Sequence, residues 1–331
     1  MKKKIFIACS GDQSIELWTL DKTFKLLKKN SILTTGTPQP LKYNKNNNLL
    51  YVGERLKNQI VTYKIYDNFQ CTKIHEIAIF NTPNYISFST DNKILFCASY
   101  HGNGFLLCKL NTGGIIQKIT HVFKKIKGCH SIVMHHKHNL IFVSSLQEDR
   151  IYIYKIILDK FNKKTFALNN VTITKKNSGP RHFAFHSKSS YLYSINEFKG
   201  TIDVWRIYDA NASLILIQST HLVLKPYLHA PWASEIHIHP NGVYLYACDR
   251  ANSIISFFTV HQKKGFLSYK HTYKTELQPR SFNISRDGKV LIVIGEKSNS
   301  MTVYHINVQY GYLVPKLSQS VGKNPLWVLI E

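Results

Sequence analysis

Arginine is the scarce base of this chain. Of its 43 basic residues only seven are arginine, Arg55, Arg150, Arg181, Arg206, Arg250, Arg280 and Arg286, and the rest are lysine. A lysine-heavy balance with abundant Asn, Ile, Tyr and Phe is what an AT-rich coding sequence produces by drift. Arginine should then persist where lysine cannot replace it, in planar, bidentate recognition of carboxylate or phosphate. Arg181 stands in such a setting, directly after Gly179-Pro180 and ahead of the alternating run from His182 to His186. Arg55, Arg250 and Arg280 recur in comparable settings, and His130, His182, Glu197 and Glu235 supply imidazoles and carboxylates nearby in the pattern. Imidazole and carboxylate can take a proton from water, while guanidinium can hold an anion or a developing oxyanion.

Composition narrows what such residues could serve. With 331 residues and 44% apolar side chains the chain can bury a sizeable core. The formal charge of +24 first suggests a nucleic-acid or membrane partner. The lysines are scattered, however, and the aromatics alternate as in strands, so the reading is of attraction for small anions, with no nucleic-acid or membrane partner. Lys2-Lys3-Lys4 and Lys124-Lys125 read as solvated positions. No run approaches 18 apolar residues, and the apolar stretch Ile5 to Cys9 is too short for a signal sequence. Cys9, Cys71, Cys97, Cys108, Cys129 and Cys248 contain no C-x-x-C pair. They point to free thiols in a reducing cytoplasm.

The elements that must position these residues repeat. A start residue, often Pro, leads into a short alternating strand, a polar turn, a second apolar strand, a polar loop and a third strand ending in an aromatic residue. Starts at Pro40, Pro83, Cys129, Pro180, Ala233 and Pro279 are spaced 43, 46, 51, 53 and 46 residues apart, the length of a four-stranded propeller blade. A further start at Pro325 runs out at Glu331, while the chain opens with strand-like Ile5 to Ser10 and Ile15 to Trp18. Joined, the two ends make one more blade. The expectation is an all-β fold, one seven-bladed propeller domain over residues 1–331, its four-stranded antiparallel blades closed by a blade shared between the termini. A β-sandwich would lack this regularity.

Within a blade the first two strands are antiparallel, so the beginning of the first lies beside the end of the second, on one rim of the central channel. Strand beginnings place His130, Arg181 with His182, Ser234 with Glu235, and Arg280 on that rim. Second-strand ends add Glu54-Arg55, Tyr100-His101, Asp149-Arg150, Asn196-Glu197, Asp249-Arg250 and Glu296-Lys297. Five of the seven arginines thus fall around one mouth, and Arg181 is expected to meet an anion there. Adjacent pairs such as Asp249-Arg250 and Glu54-Arg55 also fit plain ion pairs. His135, His136 and His138 read as turn residues. His237 and His239 alternate on a strand with no carboxylate at metal-ligand spacing, so no metal is expected. There is no G-x-S-x-G elbow, P-loop or G-x-G-x-x-G.

The rim motifs carry a resemblance. Residues 35–40 (TGTPQP), 50–55 (LYVGER), 128–131 (GCHS), 179–182 (GPRH), 195–197 (INE), 236–242 (IHIHPNG), 245–250 (LYACDR) and 278–283 (QPRSFN) resemble the lactonase seven-bladed propeller family over the whole chain. The resemblance implies hydrolysis of 6-phospho-D-glucono-1,5-lactone in the oxidative pentose phosphate pathway, without cofactor. Related propellers acting on muconate lactones use a His, a Glu and two Arg, which match His130, Glu197, Arg181 and either Arg250 or Arg280. The implied catalytic set is His130, Glu197 and Arg181, with Arg250, Arg280, His182, Glu235 and Arg55 binding substrate and either His130 or Glu197 as base. A monomer acting on a small phosphosugar lactone is expected. A non-enzymatic interaction platform and an enzyme for another lactone are the alternatives.

Overall fold

The computed structural model describes residues 2–135, 137–158, 164–186, 188–224 and 226–331; His136, expected in a turn, lies outside the described residues. Twenty-eight strands form seven four-stranded antiparallel sheets. Six sheets use four consecutive strands each, spanning 38–78, 85–124, 129–173, 180–221, 233–274 and 279–320; they are blades one to six here. In the seventh, Pro325–Ile330 lies innermost beside Lys3–Cys9, Ser14–Leu20 and Leu26–Leu33. Its closing seam pairs Ile5 with Ile330, Phe6 with Leu329, Ile7 with Val328 and Ala8 with Trp327. The expected fold is therefore the observed one. Two predicted starts shift by two residues: Pro40 lies inside Pro38–Asn44, and Pro83 precedes Tyr85–Phe88.

Burial follows a strand's place in its blade. Second strands such as Leu49–Glu54 and Val290–Gly295 are buried at every residue because blades flank them on both faces. Outer strands such as Cys71–Ala78 show water along much of their length. The core is a set of wedges between blades; one joins Phe6 and Leu17 of the closing blade to Leu41, Tyr43 and Leu50 of blade one. Tyrosines in the second strands cross these wedges. Tyr193 Oη donates to the Gly265 carbonyl at 3.0 Å and Tyr246 Oη to that of Gly311 at 2.6 Å, each in the next blade.

Two repeated backbone devices set the rim. The turn between second and third strands ends in a residue with positive φ, and its side-chain oxygen caps the N–H just ahead of the next inner strand. Asn103 caps Gly128 (2.9 Å), Asp149 caps Gly179 (2.9 Å) and Asn299 caps Asn324 (2.8 Å), with φ of 50°, 54° and 51°. Asn and Asp tolerate this left-handed conformation and carry the acceptor the latch requires. The second device is a bulge. In six of the seven inner strands one extra residue follows the topmost pair; in blade four Pro180 pairs with Asn196 and His182 with Ile195, leaving Arg181 over. A bulge interrupts strict alternation and re-aims side chains at a rim.

Candidate active site

His130, Arg181, Glu235 and Arg280 all sit in or beside these bulges. Glu197 follows the end of the neighbouring strand Tyr191–Asn196, where its N–H donates to the Gly179 carbonyl at 2.7 Å. Its carboxylate is the hub of the mouth. Oε2 lies 2.9 Å from Arg181 Nε and 2.7 Å from Arg250 Nη2, and Oε1 accepts from Trp232 Nε1 at 3.1 Å. Arg181 Nε lacks the N–H alignment of a hydrogen bond to that oxygen, so the contact is an ion pair. Arg250 lies 3.9 Å above the Trp232 ring and donates to the carbonyls of Trp232 (3.2 Å) and Ala233 (3.0 Å), while Arg181 Nη1 donates to the Ser234 carbonyl.

Deeper in the channel, His182 Nδ1 lies 2.7 Å from Glu235 Oε1, and the His182 ring meets the edges of Tyr85 (5.0 Å) and His130 (4.9 Å). Tyr85 in turn packs on Trp327 of the closing strand at 5.6 Å. His130 is 5% exposed, and its Nδ1 is buried without a hydrogen-bond partner.

Charge at this mouth is unbalanced. Burial pushes Arg250 down to about 9 and Arg181 down to about 10, with Arg181 opposing Arg250 and Arg280 opposing both. Both remain cations at neutral pH. Burial would raise Glu197, but Arg250 and then Arg181 outweigh it and hold the carboxyl below the ordinary carboxylate value. His130 is held well below the usual imidazole value, first by burial and then by Arg181, His182, Arg280 and Arg250. At neutral pH it is a free base facing cations. Burial lowers His182 in the same way and raises Glu235.

The structure brings His130, Glu197, Arg181, Arg250, Arg280, His182 and Glu235 to the channel and Arg55 to its mouth. Two expectations need correction. Arg150 turns outward, fully exposed, toward Tyr152, because the second strand of blade three, Leu140–Ser145, ends four residues before Asp149; four arginines, not five, ring the mouth. The anion met by Arg181 is the internal carboxylate of Glu197, with Arg181 itself 2% exposed. The adjacent pairs behave differently from plain ion pairs: Asp249 accepts from Trp232 N and Asn252 N, and Glu54 from Thr35 and Gln59. Sequence reading missed Trp232, whose one signal was its place directly ahead of the inner strand Ala233–Ile238, and the channel aromatics Tyr85 and Trp327. Among the described residues no group of three or more His, Cys, Asp or Glu could hold a metal ion.

Comparison with known proteins places the chain in a family. Residues 4–330 fit the family described as Lactonase, 7-bladed beta-propeller. A 6-phosphogluconolactonase of Buchnera aphidicola from Acyrthosiphon pisum is 42% identical over 333 residues, covering 100% of this chain and 99% of the relative. One from Klebsiella pneumoniae is 33% identical, with 100% and 99% covered. The solved periplasmic gluconolactonase of Pseudomonas aeruginosa superposes with a TM-score of 0.90 at 18% identity, covering 100% and 99% of the two chains, and shares the fold. On sequence over its full length, and on seven closed blades, the chain belongs to the lactonase seven-bladed β-propeller family.

Proposed function

We propose that this chain hydrolyses 6-phospho-D-glucono-1,5-lactone to 6-phospho-D-gluconate at the arginine-ringed mouth of its channel, the lactone-opening step of the oxidative pentose phosphate pathway. Family membership and the names of the full-length relatives support lactone hydrolysis. The observation that carries the site is His130, an uncharged imidazole with an unpartnered Nδ1 set among guanidiniums.

In this reading His130 takes a proton from water as the water oxygen attacks the lactone carbonyl carbon. The charges of Arg181 and Arg250, fixed by Glu197, stabilise the tetrahedral oxyanion. Collapse breaks the bond to the ring oxygen, which takes the proton back from His130, leaving the open acid. Glu197, paired with two cations and depressed, is a poor base at neutral pH and serves as their anchor. No step needs a metal, cofactor or covalent intermediate. The proposal includes a monomer in the cytoplasm, without nucleic-acid or membrane partner.

Initial rates on the phosphorylated and unphosphorylated lactones, with and without EDTA, test this. Expected are a preference for the phosphorylated lactone, indifference to EDTA, and a loss in kcat of roughly a hundredfold or more in His130→Gln at unchanged melting temperature. Hydrolysis no faster than the spontaneous reaction, or a divalent ion restoring activity lost in EDTA, would overturn it.

A further inference from the structure

The four guanidiniums of the mouth are of two kinds. Arg181 and Arg250 are committed to the protein: both pair with Glu197, both donate to backbone carbonyls, and Arg250 is stacked on Trp232. Arg55 and Arg280 are not. Arg55 Nη2 stands 3.4 Å from a ring nitrogen, His101 Nε2, and Arg280 Nη1 stands 3.8 Å from Glu296 Oε2, beyond hydrogen-bond reach. Among the described residues neither guanidinium donates to a carbonyl or makes a close carboxylate pair.

Nor are they loose surface side chains. Arg280 occupies the bulge of Pro279–Ile284 and its side chain is 16% exposed. Arg55 is half-buried, on backbone whose N–H donates to the Thr37 carbonyl at 2.9 Å. They come from blades six and one, on either side of the closing blade, and Arg55 feels Arg280: burial lowers Arg55 and Arg280 lowers it further, while the carboxylate beside them, Glu296, opposes both more weakly. Two partly desolvated like charges with open forks are unfavourable together, and the matching guest is an anion carrying more than one charge and several acceptor oxygens.

We propose that Arg55 and Arg280, flanked by His101, form the phosphomonoester subsite of the mouth. This rests on the substrate read above, whose carbonyl carbon and phosphate-bearing arm stand on the two sides of the ring oxygen. The carbonyl end belongs to His130, Arg181, Glu197 and Arg250 on blades three to five, and the phosphate end to blades one, two and six. Lysine could supply the charge at Arg55 and Arg280 but not the two parallel N–H groups.

The test uses the intact protein and the conservative variants Arg55→Lys and Arg280→Lys with Arg55→Met and Arg280→Met, each checked by melting. The readout is the ratio of kcat/KM for phosphorylated over unphosphorylated lactone. It should fall by roughly tenfold in the lysine variants and a hundredfold or more in the methionine variants. Inorganic phosphate, as competitive inhibitor against the unphosphorylated lactone, should weaken in parallel. If the wild type discriminates and every folded variant keeps that ratio and its inhibition by phosphate, the subsite is elsewhere. A wild type that hydrolyses lactones without preferring the phosphorylated one overturns the substrate reading itself.

Discussion

His130 and Glu197 show how one mouth gives two proton acceptors different duties. Two cations within 3 Å keep the Glu197 carboxylate ionised and unreactive as a base, whereas burial and surrounding cations keep His130 neutral. The consequence for pH has two opposite parts. Turnover that needs neutral His130 should persist below pH 6.5, where an ordinary histidine would already be protonated, and its acid limb should lie well under that value. Stability should meanwhile fall: below 6.5 the unfolded chain binds protons at His130 and His182 that the folded chain refuses. The loss is about 1.4 kcal/mol per pH unit for each histidine, down to its folded pKa. Melting temperatures and kcat at pH 7.5 and 6.0 check both halves; a kcat limb centred at 6.5 would contradict the assignment. His130, Arg181, Glu197, Arg250 and Arg280 were legible in the sequence because the repeat phase fixes height on the rim. It does not fix the partner. That Arg250 pairs with Glu197 across blades, and not with adjacent Asp249, depends on Trp232, which lies between repeats and has no phase to read.

At the scale of the strand, the Gly179-Pro180-Arg181-His182 stretch is held by a carboxylate from the preceding blade. Asp149 Oδ2 accepts from Asn177 N at 2.6 Å and Oδ1 from Gly179 N at 2.9 Å, while its backbone holds φ of 54°. Asp149→Ala removes both acceptors and puts a poorer residue in the left-handed position, so it should cost about 2–3 kcal/mol and lower kcat/KM by loosening the start of the Arg181 bulge. Asp149→Asn keeps the conformation and one acceptor oxygen and should retain most of the stability. Chemical denaturation of both variants, with kinetics on the folded protein, separates the two; equal stabilities would remove the latch from the account. The same element explains a misreading. Asp149-Arg150 counted as a strand end by analogy with Asp249-Arg250, yet Ser145 pairs with Arg150 as Asp249 pairs with Ile254 across turns of equal length, so the blade-three counterpart of that pair is Ser145-Leu146 and Arg150 opens the third strand; the polar turn carries no hydrophobic period to mark this phase.

For the whole ring, closure rests on one seam. Removing residues 325–331 strips the inner strand from Lys3–Cys9 and takes Trp327 from the channel wall, so the melting temperature should drop by about 10 °C or more, or cooperative unfolding should vanish. Scanning calorimetry of the truncated chain checks this, and a change of a degree or two would mean that the ring closes without it. The seven-blade count and the shared blade were legible because strand spacing is periodic and both ends carry incomplete units. The seam also imposes an order in time. Lys3–Cys9 is made before the six consecutive blades, and its inner partner after them, as the last strand of the ring. Blades one to six can stack as they are synthesised, but the opening strands must wait, one edge unpaired, through the making of some three hundred residues. Until Pro325–Ile330 arrives, Trp327 is absent from the wall around Tyr85 and His182, so the channel acquires its finished lining only when the last strand of the ring is in place.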